Sequence, residues 1–280
     1  MGYHDVCRFL GSTIILTILT LLPLRRHEAW WIRSLDFPCL QLSVISLLLL
    51  VLESDAWWQA RLDTLEPDYP HTIKCPLDNL YGMHVYSKLP LTDSHVEYLV
   101  QPDKPSMHTL VSLPSGHKIR THFLYPAPPS PTENVEASER DAELIIVAKS
   151  AAETDAPVIV TGDLNDVAWS ETTRLFRKIS GLLDPRVGRG MFNTFHADYW
   201  FMRFLLDHLF NSGHFTLSKI CRLPGFGSDH FALLTELVFE AGRDIQQNGL
   251  DADDEDLSWA KAKADDQGVC KSDVPLPEKH

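Results

Sequence analysis

The amino-acid sequence predicts an α/β domain flanked by two segments of different character. Three observations carry that reading. Short apolar, β-branched segments alternate with turn residues through the middle of the chain. Long helical stretches interrupt that alternation. Both ends change composition abruptly, to apolar runs before residue 53 and to an acidic stretch poor in large apolar residues after residue 240.

The chain has 280 residues and opens with two apolar runs, residues 9–24 and 37–52, of sixteen residues each. As helices each would be about 24 Å long, short of the bilayer core of about 30 Å. Together they still read as a membrane hairpin over residues 1–52, with lipid as the partner of residues 9–52. Trp30 and Trp31 between them suit an interfacial aromatic belt, and Arg25, Arg26 and Arg33 make that loop basic. The positive-inside rule then places the loop in the cytoplasm and everything after Leu52 outside it. A cleaved secretory signal competes for the first run, but its opening residues MGYHDVCR are not clearly basic and no small-residue cleavage site follows.

The body spans residues 53–240. Strands are expected at 82–87, 97–100, 109–113, 118–125, 158–161, 207–210, 216–222 and 233–239. Helices are expected at 56–65, where Ser54 can cap, at 138–152, where Ser138 and Asp141 have capping-box spacing, and at 169–179. Residues 125–134 hold four prolines and read as a surface loop. Residues 241–280 carry ten acids against five bases and read as a disordered acidic tail.

The formal net charge is −13, of which the tail supplies −5, so the body is acidic too. That disfavours tight binding of long nucleic acid, which depends on Lys and Arg. An acidic enzyme acting on phosphate esters would need a divalent cation to offset repulsion. The five cysteines are scattered with no CxxC pair, which points away from a cysteine zinc site and from a disulfide framework.

Three motifs carry chemistry. Gly162-Asp163-Leu164-Asn165-Asp166 follows a buried strand. Asp163 can bind a hard cation or orient water, and Asn165 can donate to a phosphoryl oxygen; the plainer reading is an Asx turn. In Gly227-Ser228-Asp229-His230, Asp229 can ligate a metal, and His230 can act as base or contact phosphate. Leu206-Asp207-His208-Leu209-Phe210 is a strand on which Asp207 can orient a partner. Singly, each motif is more often structural than catalytic.

Their order is more specific. GDLND, LDHLF and GSDHF, with the run ending at Glu53 and the segment LDNLYGMHVYSKLPL at 77–91, resemble the endonuclease/exonuclease/phosphatase superfamily over residues 53–240. The resemblance implies a DNase-I-like four-layer α/β sandwich, two packed mixed sheets with helices outside. It implies hydrolysis of a phosphate ester by activated water, with Mg²⁺, or Mn²⁺, as cofactor. Glu53, Asp163 and Asp229 would hold the metal. Asp163, Asn165, Asp207, Asp229 and His230 would form the catalytic set, and Asn165, Tyr125 and His230 would bind substrate. Nucleic acid, a phospholipid headgroup and a small phosphodiester are all compatible substrates; no protein partner is indicated. The hairpin also resembles a bacterial subgroup with N-terminal spans and an extracytoplasmic catalytic domain.

The chain departs from the family pattern twice. The family begins its domain with an asparagine-bearing strand well before the glutamate, whereas here Glu53 directly follows the apolar run. Residues 37–52 are therefore either a span or the catalytic strand, since a lipid-embedded segment cannot also pair into a soluble sheet. The family's histidine at the end of strand 118–125 is replaced by Tyr125, with His122 facing the other way by alternation. Asp207 is then expected to lack its imidazole partner, and catalysis is expected to be weak. A catalytically inactive, membrane-anchored remnant that binds a phosphate-bearing ligand or a partner is the alternative.

Overall fold

The computed structural model describes residues 61–130, 134 and 136–275. Residues 9–24, 37–52 and Glu53 lie outside them. The chain divides into two compact units. The smaller includes residues 128–137, where Pro129 and Asn134 form an isolated parallel bridge. The larger unit contains every element named below.

Among the described residues, nine strands and three helices follow one another as β1 (His71–Cys75), β2 (Met83–Ser87), β3 (Leu91–Glu97), β4 (Ser106–Ser112), β5 (Lys118–Phe123), α1 (Ser138–Ala152), β6 (Val158–Asp163), α2 (Glu171–Ser180), β7 (Asp207–Asn211), β8 (Phe215–Arg222), β9 (Leu233–Phe239) and α3 (Asp254–Asp266). Five strands form one mixed sheet in the order β3-β4-β5-β6-β7. Its parallel pair, β5 with β6, is joined through the helix α1, as parallel neighbours need a long crossover. β1–β2 and β8–β9 form separate two-stranded antiparallel ribbons. The expected mixed α/β architecture with packed sheets is thus present. The second sheet is represented, among the described residues, by these two ribbons.

α1 is buried on most of its circumference: Leu144, Ile145, Ile146, Val147 and Ala148 are fully inaccessible. Such a helix must be covered on more than one side, and α2 and α3 both pack on it. α2 begins at Ser170, whose hydroxyl accepts from the Thr173 N–H, and ends at Gly181 with φ 67°, the left-handed stop that glycine adopts without strain. Phe176 of α2 meets Phe210 of β7 at 4.9 Å between ring centroids, inside the main core.

The acidic tail contradicts its expectation. Residues 254–266 form α3, opened by a reciprocal capping box between Asp253 and Asp256. Ala260, Ala264 and Val274 join the core, and Lys178 of α2 donates to Asp256 at 2.6 Å. Acidity here caps and pairs a helix whose small apolar residues fit against α1. Composition alone hid that fit, since two alanines leave little hydrophobic signature.

Other boundaries differ more modestly. The strand expected at 97–100 runs earlier, as β3, and contains a register shift between Thr92 and His95. β1 was not expected: it is five residues flanked by Pro70 and Pro76. Of the helix expected at 56–65, residues 61–62 are helical and Asp63–Leu65 tighten into a 3₁₀ turn. The Asp141 carboxylate is buried against Arg140 and Lys263. No helix among the described residues is long and apolar enough to cross a membrane. Cys75, Cys221 and Cys270 carry free thiols.

Candidate active site

The two strand-borne carboxylates meet because of sheet register. Asp163 ends β6, Asp207 begins antiparallel β7, and the two are direct cross-strand partners. Directly opposed residues project to the same face with Cβ atoms about 5 Å apart. His230, from the turn before β9, completes the cluster: its Nδ1 lies 2.8 Å from Asp207 Oδ2 and its Nε2 lies 3.7 Å from Asp163 Oδ2. One candidate ligand atom from each of the three residues falls within 4.8 Å of the others.

Gly162 makes the approach possible. A Cβ at this position would lie 1.9 Å from the Leu124 carbonyl oxygen, and its φ is 148°, a region L-residues avoid. The following turn is locked from within. The Asn165 N–H donates to Asp163 Oδ1 at 2.9 Å, and the Asn165 amide donates to the Pro126 carbonyl at 3.0 Å. Asn165 has φ 49°, which asparagine tolerates better than most residues. The Asx turn and the catalytic reading of this motif are therefore compatible, since the turn itself aims Asp163.

The carboxylates repel each other in a partly desolvated place. Burial first, then the Asp207 charge, push Asp163 up to about 7. Burial alone would depress His230, but its hydrogen bond to Asp207 and the charges of Asp163, Asp207 and Asp229 outweigh that and raise it to about 9. At neutral pH His230 is thus held as an imidazolium, and its Nδ1–H donates to Asp207. A site whose carboxylate is forced toward protonation by its neighbour is one that a hard cation relieves. The oxygen-rich donor set also suits Mg²⁺ or Mn²⁺.

These three groups face an open cleft of about 430 Å³, also lined by Tyr125, Gly162, Ser228 and Asp229. Tyr125, not His122, faces it, as alternation implied. Tyr125 packs on Tyr81, ring centroids 5.1 Å apart. His122 is fully buried, with Nδ1 2.6 Å from His108 Nδ1. Asp229 is exposed at the rim, with its carboxylate 3.4 Å from Ser228 Oγ. It is not one of the three converging ligands. One expectation is corrected: Asp207 does not lack an imidazole, because His230 itself is its partner. Sequence order could not reveal a pairing that depends on the 223–230 loop folding back over β7.

Two supporting arginines also escaped the sequence reading. Arg140, inaccessible at the start of α1, donates to the Asn165 carbonyl at 2.7 Å and to Asp141 through two nitrogens. Asp141 accepts in addition from Thr172 and Lys263, each at 2.7 Å. Arg186, also buried, grips Asp184 and donates to the Asp207 carbonyl at 3.1 Å. It also donates to His208 Nδ1. His208 Nε2–H donates to the Asp166 carbonyl at 2.9 Å, and burial next to Arg186 lowers its pKa to about 3. Arg186 clamps the backbone of Asp207, and Arg140 that of the turn after Asp163. An Arg-Asp pair opening an otherwise apolar helix was the only sequence signal for the first.

The mixed sheet thus delivers paired carboxylates and a histidine to one open cleft. The sequence profile of the Endonuclease/Exonuclease/phosphatase family matches residues 25–230. The chain belongs to this family, whose members are hydrolases acting on phosphoester bonds. Among solved structures, a humanized Danio rerio TDP2 superposes with TM-score 0.55 at 17% identity, over 66% of this chain and 83% of that one. The mannosyl-6-phosphatase of Bacteroides thetaiotaomicron gives 0.51 at 17% identity, over 65% and 82%. An endonuclease/exonuclease/phosphatase from Beutenbergia cavernae gives 0.52 at 19%, over 65% of this chain and 57% of that one. At these identities the likeness concerns the fold. No curated protein matches the chain.

Proposed function

We propose that this chain hydrolyses a phosphate ester with a divalent cation as cofactor. The observation that carries the reading is the convergence of Asp163, Asp207 and His230 at the floor of an open cleft. In the reaction a water oxygen bonds to phosphorus, the phosphorus–oxygen ester bond breaks, and the departing alkoxide takes up a proton. A bound Mg²⁺ or Mn²⁺ supplies Lewis-acid polarisation of the phosphoryl group and favours ionised water. Asp163 would hold that ion together with Glu53 and, from the rim, Asp229. The protein's own groups do the rest. Asp207 orients His230, whose imidazolium faces a phosphoryl oxygen as charge grows there. Asn165 fixes the Asp163 carboxylate through its backbone N–H, and its amide ties the turn to the Pro126 carbonyl. Tyr125 offers a hydroxyl at the cleft wall but, with an ordinary pKa of about 10, little acid–base capacity near neutral pH.

The apolar N-terminus belongs to the proposal as a membrane anchor with the catalytic domain outside the cytoplasm, as in the membrane-anchored subgroup. The family match begins at residue 25 and includes the second apolar run. The two readings of residues 37–52 give different topologies: as a second span they put the domain outside the cytoplasm, and as the family strand that ends at Glu53 they leave it on the side of the basic loop. Reporter fusions after residue 60 test the topology: activity of an export-dependent reporter supports an external domain, and its absence overturns it.

Hydrolysis of bis-p-nitrophenyl phosphate with Mg²⁺ or Mn²⁺, beside Asp163→Ala, tests the chemistry. Turnover abolished by the substitution is expected. Equal rates in both proteins would overturn the assignment, and absence of turnover in both would favour the inactive remnant that the Tyr125 replacement suggests.

A further inference from the structure

Two residues of the chemistry-bearing motifs take no part in the reaction proposed above: Asp166, which closes the turn after Asp163, and His208, which follows Asp207. Strand alternation explains the second. Asp207 projects to the cleft, so its neighbour on β7 projects to the opposite face of the sheet. His208 is 1% exposed there. It stacks on Phe210, which in turn meets Phe176 of α2.

The bonds of His208 join three segments. Arg186, in the loop after α2, donates to Nδ1 at 2.8 Å, and Nε2 lies 2.9 Å from the Asp166 carbonyl. A guanidinium only donates and a carbonyl only accepts, so Nδ1 accepts, Nε2–H donates, and the ring is a single neutral tautomer. Both ends of this chain are anchored. Arg186 is gripped by Asp184 at 2.8 and 2.9 Å and donates to the Asp207 carbonyl at 3.1 Å. Asp166 is buried, and its carboxylate accepts from Thr173 at 2.9 Å and from Ser170, the residue that caps α2. The two motifs are therefore tied twice. In front, Asp163 and Asp207 face the cleft as cross-strand partners. Behind, hydrogen bonds run from the Asp207 carbonyl through Arg186 and His208 to the Asp166 carbonyl.

We propose that His208 is a positioning residue that braces the start of β7 against the 163–166 turn, and so sets the spacing of the Asp163 and Asp207 carboxylates and the site's affinity for a divalent cation. The inference rests on the metal-dependent reading of the cleft and adds to it a residue that touches neither ion nor substrate. Repulsion supplies the physical reason. Asp163 is the last residue of β6 and Asp207 the first of β7, so the repelling pair stands where a ladder frays most readily. The buried chain holds that end from behind, alongside the bond from Leu164 N–H to the Leu206 carbonyl. Mg²⁺ demands near-ideal octahedral geometry, and a carboxylate spacing that drifts weakens its binding.

The test compares the full chain with His208→Phe, which keeps a buried ring and removes both bonds, and with His208→Gln, whose amide can accept from Arg186 and donate to the Asp166 carbonyl. Leu144→Ala, in the buried part of α1, controls for lost stability alone. Mg²⁺ binding is read by isothermal titration calorimetry, stability by melting temperature, and turnover with bis-p-nitrophenyl phosphate. His208→Phe should weaken Mg²⁺ binding by about tenfold or more, the range for partners behind a metal ligand. His208→Gln should recover most of that loss. Leu144→Ala should bind Mg²⁺ as the wild type does, despite its lower melting temperature. Unchanged Mg²⁺ affinity in His208→Phe overturns the proposal. Equal loss in His208→Gln also does, because ring volume would then be the cause, as does a matching loss in Leu144→Ala. Arg186→Lys keeps the charge against Asp184 but not the fork that reaches Asp207 and His208 together. It carries the same test if His208→Phe does not fold, and unchanged affinity there overturns the proposal equally. The predicted pattern of Mg²⁺ affinities without turnover in any protein keeps the brace and sinks the phosphoesterase reading. A wild type that binds no divalent cation sinks both.

Discussion

The Asp207–His230 hydrogen bond is the contact on which the site's charge arrangement depends. It offsets the burial of His230 and holds the ring with Nε2 toward Asp163. Asp207→Asn keeps the shape and removes the charge. It should lower turnover of a phosphodiester by about 10- to 100-fold, the usual cost of losing an orienting partner. Its melting temperature should stay close to that of the wild type, because the side chain is part-exposed. Glu143 of α1 makes the opposite case, a buried carboxyl whose effect is on stability. Burial raises it to about 8 from the ordinary 4.5, and its Oε1 has no hydrogen-bond partner. The folded state therefore holds this proton more tightly than the unfolded chain. Its contribution is fully present below pH 4.5 and is lost as pH rises through about 8. Glu143→Gln should raise stability above pH 8 by on the order of 2 kcal/mol and flatten the melting temperature's decline across that window.

At the scale of elements, α3 serves the site from a distance. Lys263 reaches the Asp141 carboxylate, Asp141 holds Arg140, and Arg140 fixes the Asn165 carbonyl in the turn after Asp163. Lys263→Ala should cost about 2–3 kcal/mol, less than for a buried charge left alone, because Arg140 and Thr172 still satisfy Asp141. Chemical denaturation measures that cost. Phosphodiester turnover in the folded variant should also fall, and Lys263→Arg should restore more of it than Lys263→Met. The helix escaped composition-based reading because its cap is electrostatic and its buried face is mostly alanine. By contrast, residues 138–152 were legible as a helix end to end, and residues 233–239 as a strand, because fifteen residues exceed the length of an ordinary strand and seven mostly apolar ones suit it.

For the molecule as a whole, the acidic balance and the carboxylate cluster predict that a divalent cation stabilises the folded state by mass action. Mg²⁺ at about 100 times its dissociation constant should add about 2.7 kcal/mol and raise the wild-type melting temperature. Glu53→Gln should weaken that response, and Asp163→Ala should remove it. A full response in Asp163→Ala would place the ion elsewhere.

The family, and the residues that converge in the cleft, could be read from the sequence alone. Asp163, Asp207 and His230 sit in short motifs whose order along the chain is specific, and the alternation of strand 118–125 correctly turned His122 away and Tyr125 toward the cleft. The pairing of Asp207 with His230, the separation of Asp229 from the converging ligands, the two arginine clamps and the contact of His208 with Asp166 were decided by tertiary structure. Each arises where strands or loops distant in sequence are brought into register, and local pattern reports which face a residue occupies but not what comes to meet it.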